Sequence, residues 1–241
     1  MTIDATGMHY QELCRRVKDA AAQGAVQVTG LMGQRYIGSG VSGADITLRG
    51  TPGNALGAYL DGGCIQVWGN AQDATGDTMN GGEIIIHGSS GDATGYAMRG
   101  GKIFVRDSTG YRAGIHMKAY KNKVPVLLIG GRAGNFLGEY QAGGRIVALG
   151  LGCGGQAPAG DFCGTGMHGG EIYLRCDTLP DDLPPQVVAR QASDADLESI
   201  RADVARYCAL FDQDCASILS DRFFVLRPDR ANPYKQLYTH N

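Results

Sequence analysis

Histidine, cysteine and paired aspartates are the side chains of this 241-residue chain best suited to nucleophilic, proton-transfer or metal chemistry. His87, His116 and His168 stand far apart, and none has a serine or cysteine in a nucleophile motif or a partner spaced for metal binding. They read as surface or hydrogen-bonded histidines. The seven cysteines, Cys14, Cys64, Cys153, Cys163, Cys176, Cys208 and Cys215, are odd in number and contain no C-x-x-C pair or zinc spacing. They read as reduced, mostly buried thiols, because the spacing of Cys153, Cys163 and Cys176 is wide for an iron–sulfur cluster. Asp92 follows Asp73 by 19 residues. In a stacked repeat these carboxylates would lie close enough to raise a pKa, with Asp77 nearby, but solvated turn aspartates fit the same positions. The glycine-rich stretches lack the G-x-x-x-x-G-K-[ST] order and the helix of a phosphate loop. No catalytic, cofactor-binding or metal site is expected.

The elements that carry these residues are set by glycine, 38 of the 241 residues. Gly38, Gly57, Gly76, Gly95 and Gly114 are separated by 19 residues each, and the series continues at Gly138 and Gly164 with steps of 24 and 26. Five residues after most of them comes a second series: Gly43, Gly62, Gly81, Gly100, Gly143 and Gly169. From Gly62 onward each begins a Gly-Gly pair. Two series in register define a repeat.

A short alternating segment follows each mark. One aliphatic set shares a face: Ile46/Leu48, Ile65/Val67, Ile84/Ile86, Ile103/Val105, Leu127/Ile129, Ile146/Ala148 and Ile172/Leu174. Period-two alternation means a strand with one buried face. Residues 25–29 give a further strand, one residue out of register. Val41, Leu60, Met79, Met98 and Met167 form a second inward column, with methionine filling irregular gaps. The fold expected is all-β, a right-handed single-stranded parallel β-helix of about seven to eight coils with helices at both ends. Tyr10, Leu13, Val17 and Ala21 recur at helical spacing before Gly24. Ser193 with Asp196 resembles a capping box, and Leu197, Ile200, Val204, Cys208 and Phe211 form one apolar stripe. The organisation read from this is a capping helix in 1–24, the solenoid in 25–176, a linker in 177–192, and a helix with an extended tail in 193–241.

Composition narrows the partners. Net charge is −2 with a pI near 6.2 and no block of like charge, which excludes a basic nucleic-acid or membrane-binding stripe. The first seven residues lack the layout of a signal peptide, and no apolar run approaches the ~18 residues of a membrane span. A cytoplasmic protein is expected.

Residues 91–101, Gly114-Ile115-His116-Met117-Lys118 and residues 164–170 resemble the glycine repeat of the C-terminal domain of the glutamate synthase large subunit. The resemblance covers roughly residues 25–176. The start and the tail (Arg222 to Pro228, then Asn232 to Tyr238) look like the stand-alone form, in which the large-subunit domains are separate chains. The resemblance implies a right-handed β-helix holding no cofactor. It also implies two partners: a glutamine amidotransferase-type subunit that releases ammonia, and an FMN and iron–sulfur subunit that makes glutamate from 2-oxoglutarate. This chain shows neither an N-terminal cysteine (Met1 and Thr2 open it) nor a flavin barrel, so no catalytic residue carries across. The repeat is also similar to that of the solenoid subunit of formylmethanofuran dehydrogenase, of its relative in the formyltransferase/hydrolase complex, and of an N-methylglutamate synthase subunit. These stand as alternatives. A polysaccharide-cleaving β-helix is disfavoured by 7% aromatic content.

A scaffold makes contacts where its repeat is interrupted or its face is apolar. The five-residue excess falls at residues 119–123, giving Tyr120, Lys121 and Lys123 as interface candidates, and the seven-residue excess falls within 151–160, giving Gln156. Trp68, Ile85, Phe104, Val147 and Tyr173 are expected on the solvent side of the strands, where either a partner or helices of the same chain would cover them. Of these, Trp68, Phe104 and Tyr173 are interface candidates. Tyr234 and Tyr238 in the tail complete the set.

Overall fold

The computed structural model describes residues 1–229. Its body is one open sheet of eleven strands. In chain order the elements are β1 (Thr2–Asp4), α1 (Tyr10–Ala21), β2 (Val26–Met32), β3 (Ala44–Thr51), β4 (Asp61–Trp68), β5 (Gly81–Ile86), β6 (Lys102–Val105) and β7 (Val126–Ile129). β8 (Ala142–Ala148), β9 (Gly169–Arg175), β10 (Val187–Gln191), α2 (Asp194–Phe211), α3 (Cys215–Ser220) and β11 (Phe223–Pro228) follow. β1 to β9 pair in sequence order and in parallel. β11 then pairs antiparallel with β9, and β10 antiparallel with β11.

The register follows the repeat. Ile46, Ile65, Ile84, Ile103, Leu127, Ile146 and Ile172 are consecutive partners across the sheet. All seven are buried, as alternation requires of residues on one face. β2 pairs Val26 with Ile46, a step of 20, which is the expected one-residue offset. The longer steps lie between β6 and β7 and between β8 and β9, where the two insertions fall.

Opposite the sheet runs a second ladder, made of turns. The NH of Gly57 donates to Ile37 O in the preceding repeat, while the NH groups of Ala55 and Tyr59 donate to Asp73 O and Asp77 O in the following one. The same triple recurs around Gly76, Gly95, Gly114 and Gly138. It needs positive φ at every second residue: Ala55, Gly57 and Tyr59 hold +60°, +63° and +58°. The marker glycine is the one that faces the core. A Cβ on Gly57 would lie 2.7 Å from Ile84 Cδ1, so any side chain there would collide with the aliphatic column. Val41, Leu60, Met79, Met98 and Met167 are buried as expected, and in the same column Gln141 is fully buried. Its Nε2 donates to Gly143 O and Gly144 O at 3.2 and 3.1 Å.

Both ends are closed by the chain itself. α1 buries Leu13, Val17 and Ala20, and Gly24 follows at φ +140°. At the far end, Asp182 Oδ2 accepts the Phe162 NH at 2.6 Å, standing in for the carbonyl of a missing next repeat. Ser193 and Asp196 form the capping box that opens α2. Three features differ from expectation. The stretch 1–24, read as a capping helix, also holds the strand β1, which pairs in parallel with β2 ahead of α1. The stretch 177–192 holds a strand, β10, and the start of the tail is β11; together they cover the exposed edge of β9 that would otherwise pair with other chains.

The larger correction concerns the outer face of the sheet. Ile85, Phe104, Val147 and Tyr173 are not solvent-facing: Phe104 and Tyr173 are 0% exposed, and all four pack with Leu128 against Ile200, Val204, Tyr207 and Phe211 of α2. Tyr207 donates to Arg106 O at 2.7 Å, passing so close to β7 that Gly130 has no room for a Cβ. Lys102 Nζ lies 2.6 Å from Asp203 Oδ1, and Arg206 Nη2 lies 2.8 Å from Glu83 Oε2. The molecule therefore has three layers: α2, the sheet, and the glycine turns.

Candidate interaction surface

With Phe104 and Tyr173 committed to packing beneath α2, they leave the set of partner contacts. Tyr234 and Tyr238 lie outside the described residues. The remaining candidates fall into three separate places.

Trp68 ends β4, just beyond the reach of α2, and is 44% exposed. Its indole stacks on the His87 ring at 3.9 Å and 4°, with Arg49 5.7 Å from the ring centre. His87 in turn meets the edge of Phe211 at 5.2 Å. Burial, then the Arg106 charge, pushes the His87 imidazole below its ordinary value, so it is neutral near pH 7 and its Nε2 accepts from Gln66 Nε2 at 2.8 Å. The residue is a wedge between Trp68 and α2, not a base aimed at a cleft.

The first insertion is a tight hairpin. Tyr120 and Lys123 exchange backbone hydrogen bonds at 3.1 and 3.0 Å, and Lys121 takes φ +56° at the tip. Lys123 Nζ reaches back to Asp61 Oδ1 at 3.1 Å and Asn80 O at 2.9 Å, which pins the loop across the earlier repeats. Tyr120 and Lys121 are left exposed at its end. Beside it runs a groove lined by Ala119, Val124, Arg145, His168, Glu171 and Arg227, leading toward the last described residues. Gln156 is exposed on the second insertion.

Asp73 Oδ1 accepts the Asp92 NH at 2.9 Å, and Asp92 Oδ1 accepts the Tyr111 NH at 2.9 Å. They cap successive turns rather than pairing as acid and base. All seven cysteines are free thiols. Burial pushes Cys163 up to about 12 and Cys176 up to about 11, which opposes the thiolate a metal would need. Among the described residues no three His, Cys, Asp or Glu side chains come together as a metal site.

A feature the sequence reading missed lies on the turn face. Tyr111, Phe136 and Phe162 form one ring ladder, with centroids 5.7 and 5.0 Å apart. Tyr96, His116 and Tyr140 form another at 5.9 and 5.2 Å. The signal was available in the glycine register, because all six residues fall close to a marker glycine, on one side of it or the other.

The described residues form a parallel ladder of glycine-marked repeats. The sequence profile of the GXGXG motif matches residues 11–228, and the chain belongs to that family, the family of the glutamate synthase C-terminal domain. Members occur in multisubunit glutamate synthase-type oxidoreductase complexes. The chain is also 41% identical over 251 aligned residues to an uncharacterized protein of Methanocaldococcus jannaschii, spanning 99% of this chain and 96% of that protein. No helix among the described residues is long and apolar enough to cross a membrane.

Proposed function

We propose that this chain is a non-catalytic scaffold subunit of a glutamate synthase-type complex, acting in the cytoplasm, and that its repeats form a right-handed single-stranded parallel β-helix. It bridges a glutamine amidotransferase-type subunit and an FMN and iron–sulfur synthase subunit. The observation that carries this reading is the extent of the family match, which spans residues 11–228. The β-helix is supported by two parallel ladders on opposite sides of one aliphatic core, the strands and the glycine turns. The scaffold role is supported by where the polar chemistry goes. Aspartates cap turns, His87 wedges Trp68 against α2, and the buried cysteines hold their protons.

On this reading the cofactors, FMN and iron–sulfur, belong to the partner and none to this chain. The test is the isolated full-length protein, examined by absorption spectroscopy, iron analysis and glutaminase assay. Colourless, iron-free protein without glutaminase activity is expected. A flavin band or stoichiometric iron would overturn the assignment.

A further inference from the structure

The turn face opposite α2 is uncovered among the described residues, and its side chains are arranged in rows along the stack. From Gly76 onward, the charged residues three positions before the marker glycines are Asp73, Asp92 and Asp161, and those four positions after them are Arg99, Lys118 and His168; the two earliest repeats carry the opposite signs, with Arg35 before Gly38 and Asp61, paired with Lys123, after Gly57. The six from Gly76 onward are all exposed, and none of them makes an ion pair within the described chain. Of the six ladder rings, Tyr111 stands in the first row and the other five lie between the rows. Arg112 sits over Tyr111 at 4.7 Å, with its Nε 2.7 Å from the largely buried Glu139 carboxylate.

Stacking the turns does not require these rings. His116, Phe136, Tyr140 and Phe162 hold φ of +56°, +61°, +52° and +61°. Gly40 and Gly166 occupy the column of His116 and Tyr140 in other repeats, and Ala55, Ala74 and Ala93 occupy that of Phe136 and Phe162. Glycine meets that backbone requirement without the steric cost a side chain brings. Large rings kept at such positions and left partly in solvent point to a contact surface.

We propose that this face is the interface between two copies of the chain, related by a two-fold axis parallel to the stack. The charge pattern selects both occupant and axis. A face with an acidic edge and a basic edge does not select a partner of one sign, but it complements itself. A two-fold along the stack exchanges the edges at constant height. Asp92 then faces Arg99 of the second copy, Asp161 faces its His168, and Lys118 meets the Tyr111 ring. A two-fold across the stack would set acids against acids. The arrangement leaves Trp68 and α2 outside the interface, and it does not depend on the identity of any partner subunit.

Sedimentation equilibrium of the purified full-length chain tests this. The wild type is expected to be a dimer that weakens with salt. Phe136→Gly with Tyr140→Gly should raise the dimer dissociation constant about 100-fold while the circular dichroism spectrum is retained. Asp92→Arg or Arg99→Asp alone should weaken it about tenfold, and the two together in one chain should restore it. A wild-type chain that stays monomeric at ~100 µM, or a dimer indifferent to both sets of changes, overturns the proposal. So does failure of the charge exchange to restore association.

Discussion

Asp196 holds the entry to the cover helix and shows what single residues contribute here. Its carboxylate accepts from Ser193 N and Oγ at 2.7 and 2.6 Å, from Arg190 Nη1 at 2.6 Å, and from Arg227 Nη2 at 2.8 Å. Arg190, then the Ser193 contacts and Arg227, hold its pKa well below the ordinary carboxylate value despite the opposing effect of burial. Asp196→Asn should therefore lower stability by about 2–4 kcal/mol near neutral pH, read by urea denaturation. A depressed carboxylate stabilises the fold fully above its unfolded pKa and loses that contribution as pH falls toward the folded value. The difference between wild type and Asp196→Asn should shrink below about pH 4; a constant difference down to about pH 2 would contradict the ionic origin of the effect.

Core positions give a second test at this scale. Ile84→Ala or Ile103→Ala should cost about 2–5 kcal/mol, and Phe104→Ser, buried under α2, should cost at least as much. Trp68→Ser, half in solvent, should cost less than any of them. Phe104 reads as an outward residue because strand alternation assigns it to the second face, and alternation cannot say what covers that face. The neighbouring residues can. Gln27, Thr47 and Gln66 are polar at the outer positions of the early strands, whereas Ile85, Phe104, Leu128, Val147 and Tyr173 are apolar at those of the later ones. Strands apolar on both faces are buried on both faces.

Among the elements, those with a period were legible and those without one were not. Strands β3 to β9 and the two insertions follow from glycine spacing, and α1 and α2 from apolar stripes and the capping box. β10 and β11 carry no repeat, and their pairing joins segments far apart in sequence, so their partners could not be read locally. The turn ladder was half legible. Its inward glycines are obligatory and therefore visible, while the positive-φ residues beside them include alanine, threonine, tyrosine and phenylalanine, types that do not announce that conformation. For the same reason the aromatic face went unread. Residues 230–241, which contain Tyr234 and Tyr238, lie outside the described residues, which end at Asp229, one residue past β11. On the scaffold reading, their removal should weaken co-purification of partner subunits and leave the melting temperature nearly unchanged. A large drop in melting temperature would instead assign them to the cap of the sheet.

The molecule as a whole divides its surfaces. The later strands of the sheet are covered on one side by α2, the ends are closed by α1 and by β11 with β10, and among the described residues the turn face is left with rings and two charged edges. On the proposed scaffold reading, such a body suits assembly: its insertions and faces would meet other chains while chemistry proceeds in the partner subunits. The direct measurement is the native mass and activity of the full-length chain co-expressed with an amidotransferase-type and a flavoprotein subunit from the same genome. All three are expected in one complex whose glutamine-dependent glutamate formation is lost when this chain is omitted. A chain that elutes apart from both, or a complex that assembles and turns over equally well without it, would contradict the scaffold role.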